Sequence, residues 1–355
     1  MPFKRLTSGV KLYMSCVYAH QCTEGKEEAM GHFIEGVVTE ICTPFTKDGA
    51  IDWEYLRDMI DWQIDCGVHA FFVNGYAGEC HELTFDEKLE VVEAVYKVAH
   101  PRGAKIMACS FENSVELNKA LIAAYDEQGM SDCYCITAPP FFKFSQAALY
   151  DWSAELIDFA QRPVYIYNCV EQAVLFAPDT LAKLAAEHSN LRGFKDASTN
   201  VVNFQQCVLR IDPENFDFLG GCDGFDGIMV LLGAVGCVSF MAVPFPREMV
   251  EIVEKGRSGD WKGCIEAQQK VLRIRNIVKK TPFNAGWNWA MQYGFGRPTV
   301  SRMGEKQDWV PYAVKLEMDE LMVELGYESI ADRIVHDELD DAMEAAAAVG
   351  MARFR

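Results

Sequence analysis

The sequence predicts an α/β fold, specifically a TIM (β/α)8 barrel with a C-terminal helical segment. From Gly36 onward, eight short apolar runs recur at intervals of about 30 residues, and longer helical patterns separate them. The runs are almost continuously apolar, which is typical of parallel strands covered by helices on both faces. An open doubly wound sheet follows the same local pattern, but eight runs in a chain of 355 residues favour the closed barrel.

The predicted strands follow one another along the first two thirds of the chain. In order, they are 36–42, 69–75, 105–110, 133–140, 163–168, 191–198, 216–223 and 236–242. The segments between them begin with Asp, Thr or Ser and place apolar residues at helical spacing. After Pro244 one helical pattern follows another, at 246–256, 259–280, 284–293, 309–325 and 331–349. We therefore expect a helical segment that packs on the barrel.

Composition divides the chain into four parts. Residues 1–29 are basic and then acidic without clear periodicity, which predicts a disordered or loosely docked extension. Residues 30–245 form the predicted barrel core, and 246–327 form its last helix and the C-terminal helical part. Residues 328–355 are rich in alanine and glutamate, which predicts a helix-prone, solvated tail.

The charge of the chain limits its partners. The formal net charge is -19, and no basic stripe or patch opposes it. Nucleic acid and anionic membrane are therefore not expected as partners. No stretch approaches the roughly 20 consecutive apolar residues that cross a bilayer, so we expect a soluble protein.

Cysteine and histidine usage indicate the compartment and argue against a metal site. The thirteen cysteines show no CxxC pair or regular spacing, and many lie inside apolar runs, where cysteine acts as a small core residue. A reducing cytoplasm is therefore expected rather than a disulfide scaffold. His69, His81 and His188 have no histidine three or four positions away, so the sequence predicts no metal.

Lys195 stands near the end of the sixth run, in LRGFKDAST (191–199), where its side chain would face the site of a barrel. A neutral amine there can attack a ketone and form an imine, which withdraws electrons from the neighbouring carbon. Burial would lower the lysine pKa from about 10.4 to about 7.5. The alternative is a lysine that reaches solvent or pairs with Asp196, but adjacent strand residues face opposite sides.

Two further features would point into the same cavity. Tyr167 lies on the fifth run, in VYIYN (164–168), and its hydroxyl could pass protons to and from an imine. A core tyrosine is the alternative. The turn GYAGE (75–79) follows the second run, and its backbone amides could bind the carboxylate of a 2-oxo acid. An ordinary strand-to-helix turn explains it equally well.

These residues resemble a known family. The pieces VVTEICTPFTKDGAID, GYAGECHELTFDEK, APPFFKFSQAALYDW, VYIYN and RGFKDAS occur in the order and spacing of the dihydrodipicolinate synthase/N-acetylneuraminate lyase family of class I aldolases. The resemblance covers about Gly36 to about Tyr327. It implies a TIM barrel with a C-terminal helical part, commonly a tetramer, that acts on pyruvate or a related 2-oxo acid without metal or organic cofactor. We therefore expect a homo-oligomer, either a dimer or a tetramer.

The resemblance also implies residue roles. Lys195 matches the Schiff-base lysine, and Tyr167 matches the proton-relay tyrosine. The carboxylate-binding loop of the family corresponds to Gly75, Tyr76, Ala77, Gly78 and Glu79.

Several positions depart from the family pattern. Tyr76 and Ala77 replace the two hydroxyl residues of the loop, so a threonine link of the usual relay is missing. Phe141 stands where a second relay tyrosine, often lent by a neighbouring subunit, is usual. Gln172 stands about where the lysine-pathway synthases place an arginine for the second substrate, and glutamine cannot form an ionic fork.

The departures also bear on the second substrate. Asp223 matches a polar position that binds sugar hydroxyls in the sialic-acid lyases, whereas Ala197, Gly224 and Phe240 stand where polar groups are expected. The residues expected to line the acceptor side are Tyr76, Phe141, Phe142 and Phe240. An apolar or aromatic aldehyde fits this lining better than a charged partner or a sugar, unless some of these aromatics face the helices.

The sequence therefore predicts a Schiff-base lyase or aldolase that makes or cleaves a carbon–carbon bond of a 2-oxo acid. One alternative is a condensation of the 4-hydroxy-tetrahydrodipicolinate synthase type, or a hydratase or dehydratase of the same family. Another is a 2-oxo-acid-binding barrel with little turnover, because the relay hydroxyls are changed at Tyr76, Ala77 and Phe141.

Overall fold

Eight parallel strands close into a barrel in the order β1 to β8, which confirms the predicted fold. The computed structural model describes residues 31–170, 172–304 and 307–339. The strands β1 to β8 are Gly36–Glu40, Ala70–Val73, Lys105–Ser110, Cys133–Thr137, Val164–Asn168, Leu191–Asp196, Asp217–Gly220 and Gly236–Ser239. Each lies within its predicted run. Pairing of Val38 with Val238 joins the first strand to the last.

A helix follows each strand. Helices α1 to α8 are Trp53–Asp65, Phe85–Ala99, Val115–Gln128, Gln146–Phe159, Pro178–Glu187, Val201–Val208, Asp226–Leu231 and Pro246–Ser258. A side-chain oxygen caps the first backbone amides of the first four helices, from Asp52, Thr84, Ser114 and Ser145. The Asp, Thr and Ser residues that mark helix starts in the sequence therefore act as N-caps.

Further helices follow the barrel within the described residues, as expected. They are α9 (Trp261–Val278), α10 (Ala285–Gly294) and α11 (Tyr312–Glu324). Residues 331–339 are also helical, and the rest of the predicted helix 331–349 lies outside the described residues. The extension 1–29 and most of the tail 328–355 lie outside them as well, so their predicted character stays a prediction.

Alternation along the strands separates the barrel interior from the helix layer. On β5, Tyr165 and Tyr167 belong to the interior cluster, whereas Val164 and Ile166 pack in the larger cluster under the helices. On β6, Phe194 packs in that larger cluster. Since successive strand residues face opposite sides, Lys195 points into the barrel.

The amino end of the barrel is closed by a buried carboxylate at the start of β7. Asp217 accepts hydrogen bonds from the amides of Phe33 (3.1 Å) and Ile34 (2.9 Å). It also accepts from the Tyr165 hydroxyl inside the barrel (2.5 Å). These hydrogen bonds hold residues 33–34 against the amino end of the barrel.

The burial of the described cysteines agrees with their predicted role as small core residues. The described cysteines carry no disulfide, and all are buried except the half-buried Cys222. None of the helices in the described residues is long and apolar enough to span a bilayer.

Candidate active site

A cavity of about 490 Å³ lies at the carboxyl ends of the strands. Glu40 at the end of β1 and Tyr167 on β5 line it. The segments that follow β6, β7 and β8 also contribute, through Ala197, Gly221, Cys222, Asp223 and Phe240. This is the end of a TIM barrel at which active sites form.

Lys195 lies beside this cavity, and its side chain is only 1% exposed. Its Nζ is 2.6 Å from Oε2 of Glu40. The same nitrogen is 3.9 Å from the ring centroid of Tyr167 and 4.2 Å from that of Phe72. Gly221 passes close by, because a Cβ at that position would lie 3.0 Å from Cγ of Lys195. Backbone and rings thus confine the amine to one position.

The protonation of Lys195 differs from the sequence expectation. Burial disfavours the charged amine, but the carboxylate of Glu40 outweighs burial, so the pKa of Lys195 lies above its ordinary value. The expected depression of the pKa was wrong because a counter-charge from another strand offsets desolvation. In the free protein Lys195 is therefore an ammonium ion paired with a carboxylate.

Tyr167 is the direct neighbour of Lys195, paired with it across β5 and β6. Its ring belongs to an aromatic cluster at the mouth of the barrel. The centroid of Tyr167 lies 6.1 Å from that of Phe72, 6.0 Å from Phe111 and 6.5 Å from Tyr76. The sequence prediction that Tyr167 and Lys195 face one cavity agrees with this geometry.

The loop 75–79 reaches the same cavity through Tyr76 and Ala77. Its backbone is held by two side chains from outside the loop. Thr43 donates to the carbonyl of Gly78 (2.7 Å), and Asn284 donates to the carbonyl of Ala77 (3.1 Å). Such fixed backbone can present amides to an anion.

Only glycine fits at the start of this loop. A Cβ on Gly75 would lie 2.6 Å from the Phe72 ring and 2.8 Å from Oε1 of Glu40. That same Oε1 accepts a hydrogen bond from the amide of Ala77 (3.2 Å). The predicted carboxylate-binding loop therefore already contacts one carboxylate, and that carboxylate belongs to the protein.

The structure brings two more of the predicted residues to the cavity. Asp223 is buried and accepts a hydrogen bond from Ser239 (2.6 Å), and burial raises its pKa. Phe240 stacks on Trp287, with the ring centroids 5.1 Å apart and the planes 9° apart. Phe283 and Trp287 also line the cavity, so its wall is aromatic on this side.

Other predicted residues lie farther out. Phe141 is 84% exposed and lines a neighbouring cavity of about 550 Å³, to which Tyr76 also contributes. Phe142 is exposed as well. Gln172 donates a hydrogen bond to the Tyr76 hydroxyl and reaches the active-site region through that contact. Within one chain, therefore, Phe141 and Phe142 do not join Lys195.

Three charged residues in the cavity were missed by sequence reasoning. Glu40 stands in the apolar run VVTEIC, where a carboxylate is as unusual as Lys195 is in its own run. Arg275 on α9 lines the cavity, and its Nε is buried without a hydrogen-bond partner in the described structure. It lies on a helix that follows the eight strands, so no strand-end signal marks it. Lys279, one turn later, lines the cavity too.

The described residues offer no grouping suited to a metal. Within 31–170, 172–304 and 307–339, no three His, Cys, Asp or Glu side chains lie close enough to hold a metal ion. The cavity offers carboxyl groups, basic side chains and aromatic rings beside the Lys195 amine.

Asp226 is a second buried carboxyl group near the cavity, and we expect its titration to make the stability of the protein depend on pH. Burial, followed by the neighbouring Asp223, raises the pKa of Asp226 to about 8. The folded protein thus binds a proton that an unfolded Asp releases near pH 4, so this contribution to stability falls as the pH rises from about 4 to about 8. Between pH 5 and pH 8, the free energy of unfolding in urea should fall less for Asp226→Asn than for the wild type. We expect the two decreases to differ by on the order of a few kcal/mol.

Asp226→Asn keeps the oxygen that accepts the Cys222 amide (3.0 Å), so the substitution removes mainly the titration. The exposed Asp151 on α4 provides a matched control. Asp151→Asn should retain the wild-type dependence on pH. An Asp226→Asn variant with the same dependence as the wild type would contradict the assignment.

Comparison with known proteins identifies the family to which the chain belongs. The sequence model of the Dihydrodipicolinate synthetase family matches residues 33–303. The chain is 29% identical over 257 residues to the 4-hydroxy-tetrahydrodipicolinate synthase of Chelativorans sp. (strain BNC1), covering 72% of this chain and 87% of the relative. It is 32% identical over 237 residues to the corresponding enzyme of Aquifex aeolicus (strain VF5), covering 65% and 78%.

Solved structures show the same fold. The crystal structure of dihydrodipicolinate synthase from Aquifex aeolicus aligns with a TM-score of 0.77 and 25% identity, covering 84% of this chain and 100% of that one. The enzyme from Acinetobacter baumannii, solved in complex with pyruvate, aligns with a TM-score of 0.76 and 24% identity, covering 83% and 100%.

Proposed function

The chain belongs to the dihydrodipicolinate synthetase family, and from this premise we propose that Lys195 forms an imine with pyruvate or a related 2-oxo acid. The chain is an aldolase-type carbon–carbon lyase. The observation that carries the proposal is the buried amine of Lys195 at the carboxyl end of the barrel, confined by Tyr167 and Phe72. An imine at this nitrogen would withdraw electrons from the adjacent carbon and stabilise the resulting enamine.

Tyr167 is proposed to move protons in this reaction. Its ring lies against Nζ of Lys195, and it lines the cavity in which the substrate would sit. A tyrosine hydroxyl both donates and accepts, so it can protonate and deprotonate the intermediates. Because the imine itself supplies the electron sink, the proposed mechanism uses no metal or organic cofactor.

The loop 75–79 is proposed to receive the carboxylate of the 2-oxo acid. Its backbone is fixed by Thr43 and Asn284, so its amides need little reorganisation on binding. The cytoplasm is the proposed compartment. A dimer or tetramer is the proposed assembly, in which the exposed Phe141 would approach a neighbouring copy.

The second substrate is proposed to be an aldehyde with an aromatic body. Phe240, Phe283 and Trp287 form an aromatic wall of the cavity. Arg275 and Lys279 line the same cavity, which gives an acidic group on the aldehyde a cationic partner. The sequence favoured an apolar or aromatic partner over a charged one, whereas Arg275 and Lys279 support an aromatic partner that carries a carboxylate.

An aldehyde panel tests this proposal. With pyruvate as donor, we expect 4-carboxybenzaldehyde to give a higher kcat/KM than benzaldehyde. In Arg275→Met the ratio of these two values should fall by about tenfold, because a charge-assisted hydrogen bond is lost. Condensation is followed by chromatography of the products.

Arg273→Met is the matched control, since Arg273 lies on the same helix but pairs with Glu324 on the surface (2.5 Å). It should leave the ratio unchanged. Equal ratios in Arg275→Met and the wild type would contradict the cationic subsite. Turnover of aspartate semialdehyde alone would favour the 4-hydroxy-tetrahydrodipicolinate synthase reaction. Hydration or dehydration of a 2-oxo acid without carbon–carbon chemistry would favour the hydratase or dehydratase alternative.

A 2-oxo-acid-binding barrel with little turnover is the second candidate. The observation that favours it is the altered loop, in which Ala77 has no hydroxyl and the Tyr76 hydroxyl accepts a hydrogen bond from Gln172. This candidate predicts an adduct on Lys195 with pyruvate but no product from any aldehyde or hydration substrate.

A further inference from the structure

Glu40 is the unusual residue of this barrel. It ends β1 and is 7% exposed, yet its two carboxylate oxygens are both engaged inside the site. Oε2 accepts a hydrogen bond from Nζ of Lys195 (2.6 Å), and Oε1 accepts one from the amide of Ala77 (3.2 Å). The Ala77 contact fixes the carboxylate and thereby holds Oε2 against the reacting nitrogen.

The pairing creates a chemical requirement. Only a neutral amine can attack a carbonyl, but Lys195 is held as an ammonium ion by Glu40. Its proton must therefore move to a nearby base before imine formation begins. Two other buried carboxyl groups near the cavity have different partners, since Asp223 accepts from Ser239 and Asp226 accepts from the Cys222 amide. Glu40 is the base that touches Nζ.

We infer that Glu40 is a catalytic residue that carries protons from the Lys195 nitrogen to the oxygen of the bound 2-oxo acid. This inference rests on the proposed function. Glu40 first accepts one proton from the ammonium, and the neutral amine then adds to the carbonyl carbon. The protonated Glu40 donates to the resulting oxygen, and the ionised carboxylate takes a second proton from nitrogen.

Delivery of that second proton releases the oxygen as water. Two protons have then passed from nitrogen to water, one remains on the iminium nitrogen, and Glu40 ends as a carboxylate.

The experiment measures how fast pyruvate forms an imine. Samples mixed with pyruvate are quenched with borohydride at successive times, and the adducted fraction is read from the intact mass. We expect Glu40→Gln to slow adduct formation about 100-fold. The substitution also removes the charge that keeps Lys195 protonated, which by itself would speed attack. A slower reaction therefore separates a proton carrier from a simple ion-pair partner.

Chemical rescue gives a second readout. Glu40→Ala leaves space for a small acid, so added formate should restore at least part of the rate, whereas formate should not affect Glu40→Gln. Glu248→Gln is the matched control. Glu248 lies on α8, where it is buried and accepts a hydrogen bond from the Tyr327 hydroxyl, away from the site. It should form the adduct at the wild-type rate.

The outcomes separate the two proposals. A wild-type adduct on Lys195 together with slow Glu40→Gln and formate-rescued Glu40→Ala would support both. Adduct formation in Glu40→Gln at or above the wild-type rate would overturn the role of Glu40 alone. Slow formation in Glu40→Ala without rescue by formate would also overturn it. A wild-type protein that forms no adduct would overturn the role of Glu40 and the proposed function together.

Discussion

Replacing Lys195 with alanine should stop the exchange of pyruvate methyl protons with D₂O, lowering the catalysed rate by at least about 10⁴-fold. The exchange requires an enamine, and the enamine requires an imine on the lysine nitrogen. Lys279 is the only lysine among the described residues that line the cavity, and it is exposed at the cavity edge. Proton NMR of pyruvate in D₂O follows the reaction directly.

Loss of activity in this variant must be separated from loss of folding. Lys195→Ala leaves the buried Glu40 without its counter-charge, which destabilises a folded protein. The double variant Lys195→Ala, Glu40→Gln removes both charges and should recover stability toward urea without recovering exchange. Exchange within about tenfold of the wild-type rate in a folded Lys195 variant would contradict the assigned role.

Tyr167→Phe should slow methyl-proton exchange by about 10²- to 10⁴-fold while pyruvate still forms an adduct with Lys195. The phenylalanine ring keeps the packing against Nζ, which lies 3.9 Å from the ring centroid. Only the hydroxyl is lost, so the variant should retain imine formation and lose proton transfer. NMR exchange and borohydride trapping, measured on the same sample, test the two steps separately.

Tyr165→Phe is a demanding control for this variant. Tyr165 lies on the same strand and also faces the barrel interior, but its hydroxyl bonds Asp217 at the amino end. Its loss should lower stability and leave exchange near the wild-type rate. Equal exchange in Tyr167→Phe and the wild type would show that another group transfers the proton.

The fold could be predicted because each strand carries its own signal. The eight apolar runs alternate with amphipathic, capped helices, and eight parallel strands in a chain of this length favour a closed barrel over an open doubly wound sheet. The predicted runs extend one to three residues beyond several observed strands, as at 133–140 against Cys133–Thr137. Ala138, Pro139 and Pro140 follow Thr137, and proline has no backbone N–H to continue the pairing, although the apolar pattern continues.

The placement of Lys195 and Tyr167 was also predictable, because both depend on neighbouring strands and on alternation. The protonation state of the Lys195 amine could not be predicted in this way. Glu40 precedes Lys195 by 155 residues and meets it only because the barrel closes. Desolvation can be anticipated from an apolar run, but the charge that compensates it comes from the opposite side of the structure.

The acceptor side of the cavity shows more clearly that local sequence does not predict contacts between distant segments. Arg275 reaches the cavity from α9, which follows the eight strands in the chain. No local sequence pattern predicts where that helix packs. Phe141 follows Pro140 in a turn with a φ of 68°, which turns its side chain outward to a neighbouring cavity. Local sequence indicates which residues end a strand, whereas the direction of the following loop depends on tertiary contacts.

The most direct test of the whole account is the site of the pyruvate adduct. The protein is incubated with pyruvate, reduced with borohydride and digested, and the modified peptide is sequenced by mass spectrometry. We predict a single reduced adduct on Lys195, absent from Lys195→Ala. An adduct on another lysine, or no adduct at all, would contradict the Schiff-base mechanism.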